Sequence, residues 1–253
     1  MIKSCATRPV VFFVFLLPFL ALLNQASAGS SSLTISIDHD DGGRAGDQYL
    51  LDLVKALNDQ GCNVVVPDGV NGSKGQLVFD SRPVSIAANE MADYQLIARA
   101  RTLYDELTVR GAILVQASTG IEDLITLQGE LIAFVGKDSW SGYHMPLKAL
   151  HEAGVTEERD KFSFSGNHVG AVSALLHRDV FATVTAEPLA RRWAEANELS
   201  VVAVSDEVGT SGWWLHQSIS EKQRKSCMLA LSKLERSQLK ALPAWIGGFE
   251  VEE

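Results

Sequence analysis

Residues 33–37 alternate apolar Leu33, Ile35 and Ile37 with polar Thr34 and Ser36, the period-two pattern of a half-buried strand. Residues 47–58 switch to helical spacing, with Leu50, Leu53, Val54 and Leu57 on one face and Gly61 just past the end. A strand follows at 63–66, so strand, helix and strand predict a parallel βαβ unit. The Gly- and Ser-rich stretch 68–83 reads as loop with one short strand at 76–79, then 84–87 as a strand and 92–100 as a helix. Ile113, Leu114 and Val115 in succession mark 111–116 as a strand buried on both faces. After a helical turn at 121–124, strands at 131–135, 161–164, 182–185 and 201–204 alternate with helices at 141–153, 169–178 and 188–196. A last helix, 220–234, opens on the capping pair Ser220 and Gln223. Such alternation predicts an α/β fold of open, mostly parallel sheets with helices on both faces.

One apolar run breaks this rhythm. Residues 10–23 follow Lys3 and Arg8 and precede Ala26, Ser27 and Ala28, the n-region, h-region and cleavage site of a secretory signal. The run is shorter than the roughly 20 residues that span a bilayer, and Pro18 interrupts it, so cleavage before Gly29 is expected. Removing Lys3 and Arg8 takes the formal charge from −9 to −11. A surface this acidic argues against nucleic acid, whose phosphates need clustered Lys and Arg. It leaves room for a small anion, because a pocket can offer backbone N–H groups whatever the net charge. Cys62 and Cys227 are the mature chain's two cysteines, and both a disulfide and two buried thiols fit the sequence.

Two strand-to-helix turns hold residues suited to an oxyanion. In the first, Ser139, Trp140, Ser141, Gly142 and Tyr143 open a helix, where amides, hydroxyls and the helix dipole point toward a negative charge. In the second, Ser165 and His168 follow a strand. Glu187 follows a third, and ligands in open α/β sheets sit beyond such carboxyl ends.

Residues 121–124 and 131–135, the Ser139 to Tyr143 turn, Pro146, Gly154, residues 164–168 and the turn at Glu187 together resemble the second lobe of the periplasmic phosphonate, phosphite and phosphate-binding proteins of ABC importers. The resemblance runs over about residues 109–249. It implies a two-lobed α/β binding-protein fold: a signal peptide at 1–28, a first lobe from 29–107 with a return at 206–253, and a second lobe at 108–205. It also implies a periplasmic location and, as partners, a small anionic ligand and an ABC permease. In that family the Ser-Thr-Ser-Gly helix start and the later His hold the phosphonate oxygens, which corresponds here to Ser139, Trp140, Ser141 and His168. Glu187 matches the carboxylate that relatives use against an ammonium, and Tyr94 fits a first-lobe aromatic position. The chain departs from the pattern in three places. Trp140 replaces Thr, residues 208–214 lack the family's Asp, and the loop 68–83 shortens the first lobe.

Were Trp140, Trp213 and Trp214 to face the cleft, the ligand would carry an apolar or quaternary ammonium part; the competing expectation puts Trp213 and Trp214 in the core. Two other functions compete with import. A sensor or apolar-solute module with a degraded anion site would answer to a membrane partner, and a hydrolase would need a nucleophile with a base, yet no Gly-x-Ser-x-Gly elbow is present. His144 and His151 lie about two helical turns apart with no third ligand at metal spacing, so neither metal nor cofactor is expected. The reading is a monomeric solute-binding protein rather than an enzyme.

Overall fold

The computed structural model describes residue 1 and residues 32–38, 47–67, 74–156 and 161–252. The leader at 2–28 and its cleavage site lie outside these residues.

The first strand, β1 (Leu33–Asp38), runs into α1 (Asp47–Asp59) and β2 (Val64–Val65), which pairs parallel to β1 as the pattern predicts. β3 (Leu77–Asp80) pairs parallel on the other side of β1. Residues 84–87, expected as a strand, form the one-turn helix α2 (Val84–Ala87). Pro83 supplies a fixed φ at its start, and the Val84 amide donates to Thr210 O rather than to a sheet neighbour.

Residues 92–100, expected as a helix, are instead β4 (Tyr94–Thr102). Ala98, Ala100 and Thr102 point into the core while Arg99 and Arg101 point outward, a period of two that outweighs the helix preference of Ala and Arg once strands lie on both sides. Those neighbours, β10 (Gly212–His216) and β11 (Ile246–Val251), went unpredicted. Both are short and Gly-bearing, and both return from the far end of the chain.

The second sheet holds β5 (Thr108–Gln116), β6 (Ile132–Phe134), β7 (Phe162–Phe164), β8 (Ala182–Ala186) and β9 (Leu199–Gly209). Its helices are α3 (Met145–Glu152), α4 (His168–Leu176) and α5 (Glu187–Ala196), and α6 (Glu221–Ser232) belongs with the first sheet. The turn expected at 121–124 lies three residues later, at Leu124–Leu127, because Asp123 caps it.

The protein is thus two-lobed and α/β, with strand orders β11-β4-β10-β3-β1-β2 and β7-β6-β8-β5-β9. The sheets are mixed rather than mostly parallel. β10 runs antiparallel to β3 and β4, and β5 antiparallel to β8 and β9, because the chain crosses between lobes along paired strands of opposite direction. The first lobe carries the six-stranded sheet. Between β3 and β4 only α2 and a 3-10 turn intervene.

Alternation along β5 sends Ile113 and Val115 to one apolar cluster and Ala112 and Leu114 to another, so helices cover both faces. In the first lobe Phe79 and Trp213 pack into the main core, while Val78 and Trp214 fill a smaller cluster with Ala87 and Met91 on the opposite face. Cys62 and Cys227 form a disulfide that ties the end of α1 to α6.

The two crossovers run side by side. Thr108 pairs with Gly209, and the Thr210 amide donates to Leu107 O at 3.0 Å. The carboxyl ends of β3, β6 and β8 and the start of β10 all face this junction.

Candidate functional site: the interlobe cleft

On the second lobe, the chain leaves β6 and enters a π-helical turn, Trp140–His144, that leads straight into α3. Ser139 caps the turn, its Oγ accepting the Gly142 amide at 2.8 Å. Two glycines let the turn lie flat on the sheet. A Cβ on Gly142 would sit 2.3 Å from the Val135 side chain, and one on Gly111 would sit 2.3 Å from Ser141 O and from Pro146. With the turn pressed down in this way, Ser141 is buried and its Oγ has no hydrogen-bond partner.

On the first lobe, β3 ends in Asp80, followed by Ser81 and Arg82. Asp80 is fully buried and holds Arg82 in a fork: Nε donates to Oδ1 at 3.0 Å and Nη2 to Oδ2 at 2.7 Å. Glu90 takes Arg82 Nη1 at 2.8 Å. Asp80 and then Glu90 hold the Arg82 proton well above the ordinary arginine value. The cation is thus spent on two carboxylates. Beside this cluster Ser81, Thr210 and Ser211 are buried, and the oxygen of each side chain lacks a partner. Trp245 is buried as well, its Nε1–H unpaired.

These two surfaces meet in a narrow, nearly shut crevice of about 10 Å³, room for about one water molecule. Ser81, Ser211 and Trp245 line it from the first lobe and Trp140 and Ser141 from the second. Val109 and Val208 lie at its hinge end. Each orphaned buried polar group costs about 1–3 kcal/mol, and four residues that carry one line this crevice.

Of the residues singled out in the sequence, Trp140 and Ser141 reach the crevice, with Ser139 and Gly142 directly behind them as scaffold. The Ser139 and Gly142 amides are committed to Gly136 O and to Ser139 Oγ. Tyr143 turns into the core, its ring 5.3 Å from Phe134 and 5.4 Å from Phe164. His168 is buried, and its Nδ1 accepts the Ala186 amide at 3.1 Å and lies 3.0 Å from Thr185 Oγ1. An acceptor Nδ1 means a neutral ring protonated on Nε2, so His168 here pins α4 to the β8–α5 turn.

Glu187 pairs with Arg191 at 2.7 Å and approaches Arg110 at 3.9 Å. Tyr94 lies across from His216 at the far end of β4, five residues from the Arg99–Gly212 pairing beside the cleft, or roughly 17 Å of strand. Its hydroxyl donates to Gly75 O. Trp213 and Trp214 are core residues. Ser81 and Trp245 were not anticipated, and Ser211 stands in the stretch 208–214 noted only for lacking the family's Asp.

A family model described as "ABC transporter, phosphonate, periplasmic substrate-binding protein" matches residues 69–251. The chain belongs to this family. PhnD1 of Prochlorococcus marinus (MIT 9301), solved with methylphosphonate, is similar in structure with a TM-score of 0.63 at 16% identity, over 88% of this chain and 93% of that one. A binding protein component of an ABC phosphonate transporter (PA3383) from Pseudomonas aeruginosa gives 0.62 at 14% identity, over 88% and 82%. XAC2383 from Xanthomonas citri bound to ATP gives 0.57 at 12%, over 88% and 92%. Likeness at these identities concerns the fold. No curated protein matches the chain. Membership of the family makes it a periplasmic solute-binding component of an ABC transporter. Among the described residues no helix is long and apolar enough to cross a membrane.

Proposed function

We propose that this binding protein captures a small oxyanion of the phosphonate, phosphite or phosphate class between its lobes and delivers it to an ABC permease. The observation that carries the reading is the convergence of Ser81, Ser141, Ser211 and Trp245, four buried donors without partners, on one interlobe crevice. Donors contributed by both lobes favour closure, because a ligand touching both binds the closed form more tightly than the open one.

The residues 1–28 export the chain and are cleaved, and the mature protein acts as a monomer without nucleic-acid partners, in keeping with its acidic charge. It captures without catalysis. Ser141 Oγ has no base to activate it, and His168 Nδ1 is occupied by Thr185 and the Ala186 amide. Calorimetric titration of the mature chain with methylphosphonate, phosphite and phosphate tests the proposal: saturable binding of at least one is expected, and no heat with any of them refutes it.

A further inference from the structure

Resting on the reading of the cleft as the ligand site, we infer that Asp80, Arg82 and Glu90 are positioning residues for the ligand: they fix the end of β3 so that the Ser81 hydroxyl is presented to the crevice beside that of Ser211.

Stability alone does not explain a salt bridge buried this deeply. Asp80 and Arg82 are both buried, and taking two charges out of water offsets most of their attraction, so an apolar pair of similar volume would serve the fold as well. What the pair adds is geometry. Nε and Nη2 of Arg82 meet the two oxygens of Asp80 as a fork, and Asp80 Oδ1 also accepts the Arg82 amide at 3.0 Å. Both the side chain and the backbone of residue 82 are thereby tied to residue 80, which restrains the Ser81 between them. Glu90 takes the outer edge of the guanidinium, from Nη1 at 2.8 Å and Nη2 at 3.1 Å, and anchors the fork to the 3-10 turn Ala88–Glu90.

The fork stands on one side of the chain and the donor on the other. Ser81 and Pro83 line the crevice whereas Asp80 and Arg82 do not, the alternation of a strand continued past its end. Backbone bonds hold the same segment against its neighbours. The Ser81 amide donates to Asp38 O at 3.3 Å, and the Val84 amide donates to Thr210 O at 3.0 Å, one residue before Ser211. Asp80 pairs with Gly212 in the antiparallel register of β3 and β10, so Ser81 and Ser211 leave adjoining strands side by side. Their hydroxyls, both buried and without partners, are placed to meet two oxygens of one ligand.

The test is a set of double-mutant cycles on the mature chain, with affinity for methylphosphonate, phosphite and phosphate read by calorimetry. Ser81→Ala alone should weaken binding about 10-fold. Arg82→Lys keeps the charge against Asp80 and Glu90 but loses the fork, and should weaken binding about 5- to 10-fold. Added to Ser81→Ala it should change affinity by less than about 2-fold, because the donor it positions is gone. Added to Ser141→Ala on the opposite lobe, its full effect should persist. A first lobe that is merely destabilised would weaken binding equally in both backgrounds, and that result overturns the inference, as does wild-type affinity in Arg82→Lys. Should Arg82→Lys not fold, Glu90→Ala at the exposed end of the cluster goes through the same cycles, with a loss of about 3-fold expected and the same dependence on Ser81. A wild type that binds none of the three anions overturns the cleft as the ligand site, and this inference with it; additive cycles overturn the inference and leave the cleft standing.

Discussion

Ser141 and Ser211 show how a residue's value depends on what is missing around it. Each buries a hydroxyl with no partner, an arrangement that costs stability in the free protein. Ser141→Ala and Ser211→Ala should therefore weaken methylphosphonate binding by about 1.5–3 kcal/mol while the ligand-free protein melts at an unchanged or higher temperature. Calorimetry paired with thermal melts separates the two effects. His168 behaves in the opposite sense, because its ring completes the hydrogen bonds of Thr185 and the Ala186 amide. His168→Ala is expected to cost about 1–3 kcal/mol of folding free energy in urea denaturation, with a smaller effect on affinity. Arg82→Ala is more severe. It strands the buried Asp80 carboxylate and should cost about 3–5 kcal/mol in the same measurement.

At the scale of elements, the π-helical turn decides whether Ser141 reaches the cleft. Gly142→Ala would drive a methyl group into Val135 and Ser139 Oγ, lift the turn from the sheet and cost about 1–3 kcal/mol, with binding lost alongside. Retained affinity at wild-type stability would show that the turn does not position the donors. The start of α6 offers a pH-dependent check. Arg224 donates to Glu221 and holds its carboxyl below the ordinary glutamate value. The pairing therefore stabilises α6 above the ordinary glutamate pKa and is lost as pH falls through the lowered folded-state value. Melting of the wild type against Arg224→Met should differ at neutral pH and converge in acid.

For the molecule as a whole, the crossovers place two sheets on either side of one crevice, with the main apolar cluster continuing across the junction through Val109, Ala186 and Leu189. Ligand that binds only the folded form raises the melting temperature by mass action, and closure around it should lower the radius of gyration in solution scattering. The Cys62–Cys227 disulfide joins residues 165 apart within the first lobe. Cys62→Ala with Cys227→Ala should cost about 2–5 kcal/mol, chiefly by enlarging the unfolded ensemble, with ligand affinity unaffected because neither residue lines the cleft. A disulfide of this kind also accords with the oxidising periplasm of the family.

Periodicity alone carried the α/β class, most strands and helices of the second lobe, and the turn from Ser139 to Gly142. There β6 and β8 are buried along their length and α3 and α5 are amphipathic, so these local patterns record their own surroundings. It failed at β4, where Ala and Arg favour a helix in isolation but strands on both sides impose a sheet. It was silent on β10 and β11, whose partners are more than a hundred residues away. The same distance hid half of the cleft. Whether Ser81 or Trp245 is a ligand donor depends on no neighbour in the chain satisfying it, and whether Glu187 is available depends on Arg191 and Arg110 closing around it. Unmet and already-met hydrogen bonds belong to segments brought together in space, and so only the folded arrangement could decide them.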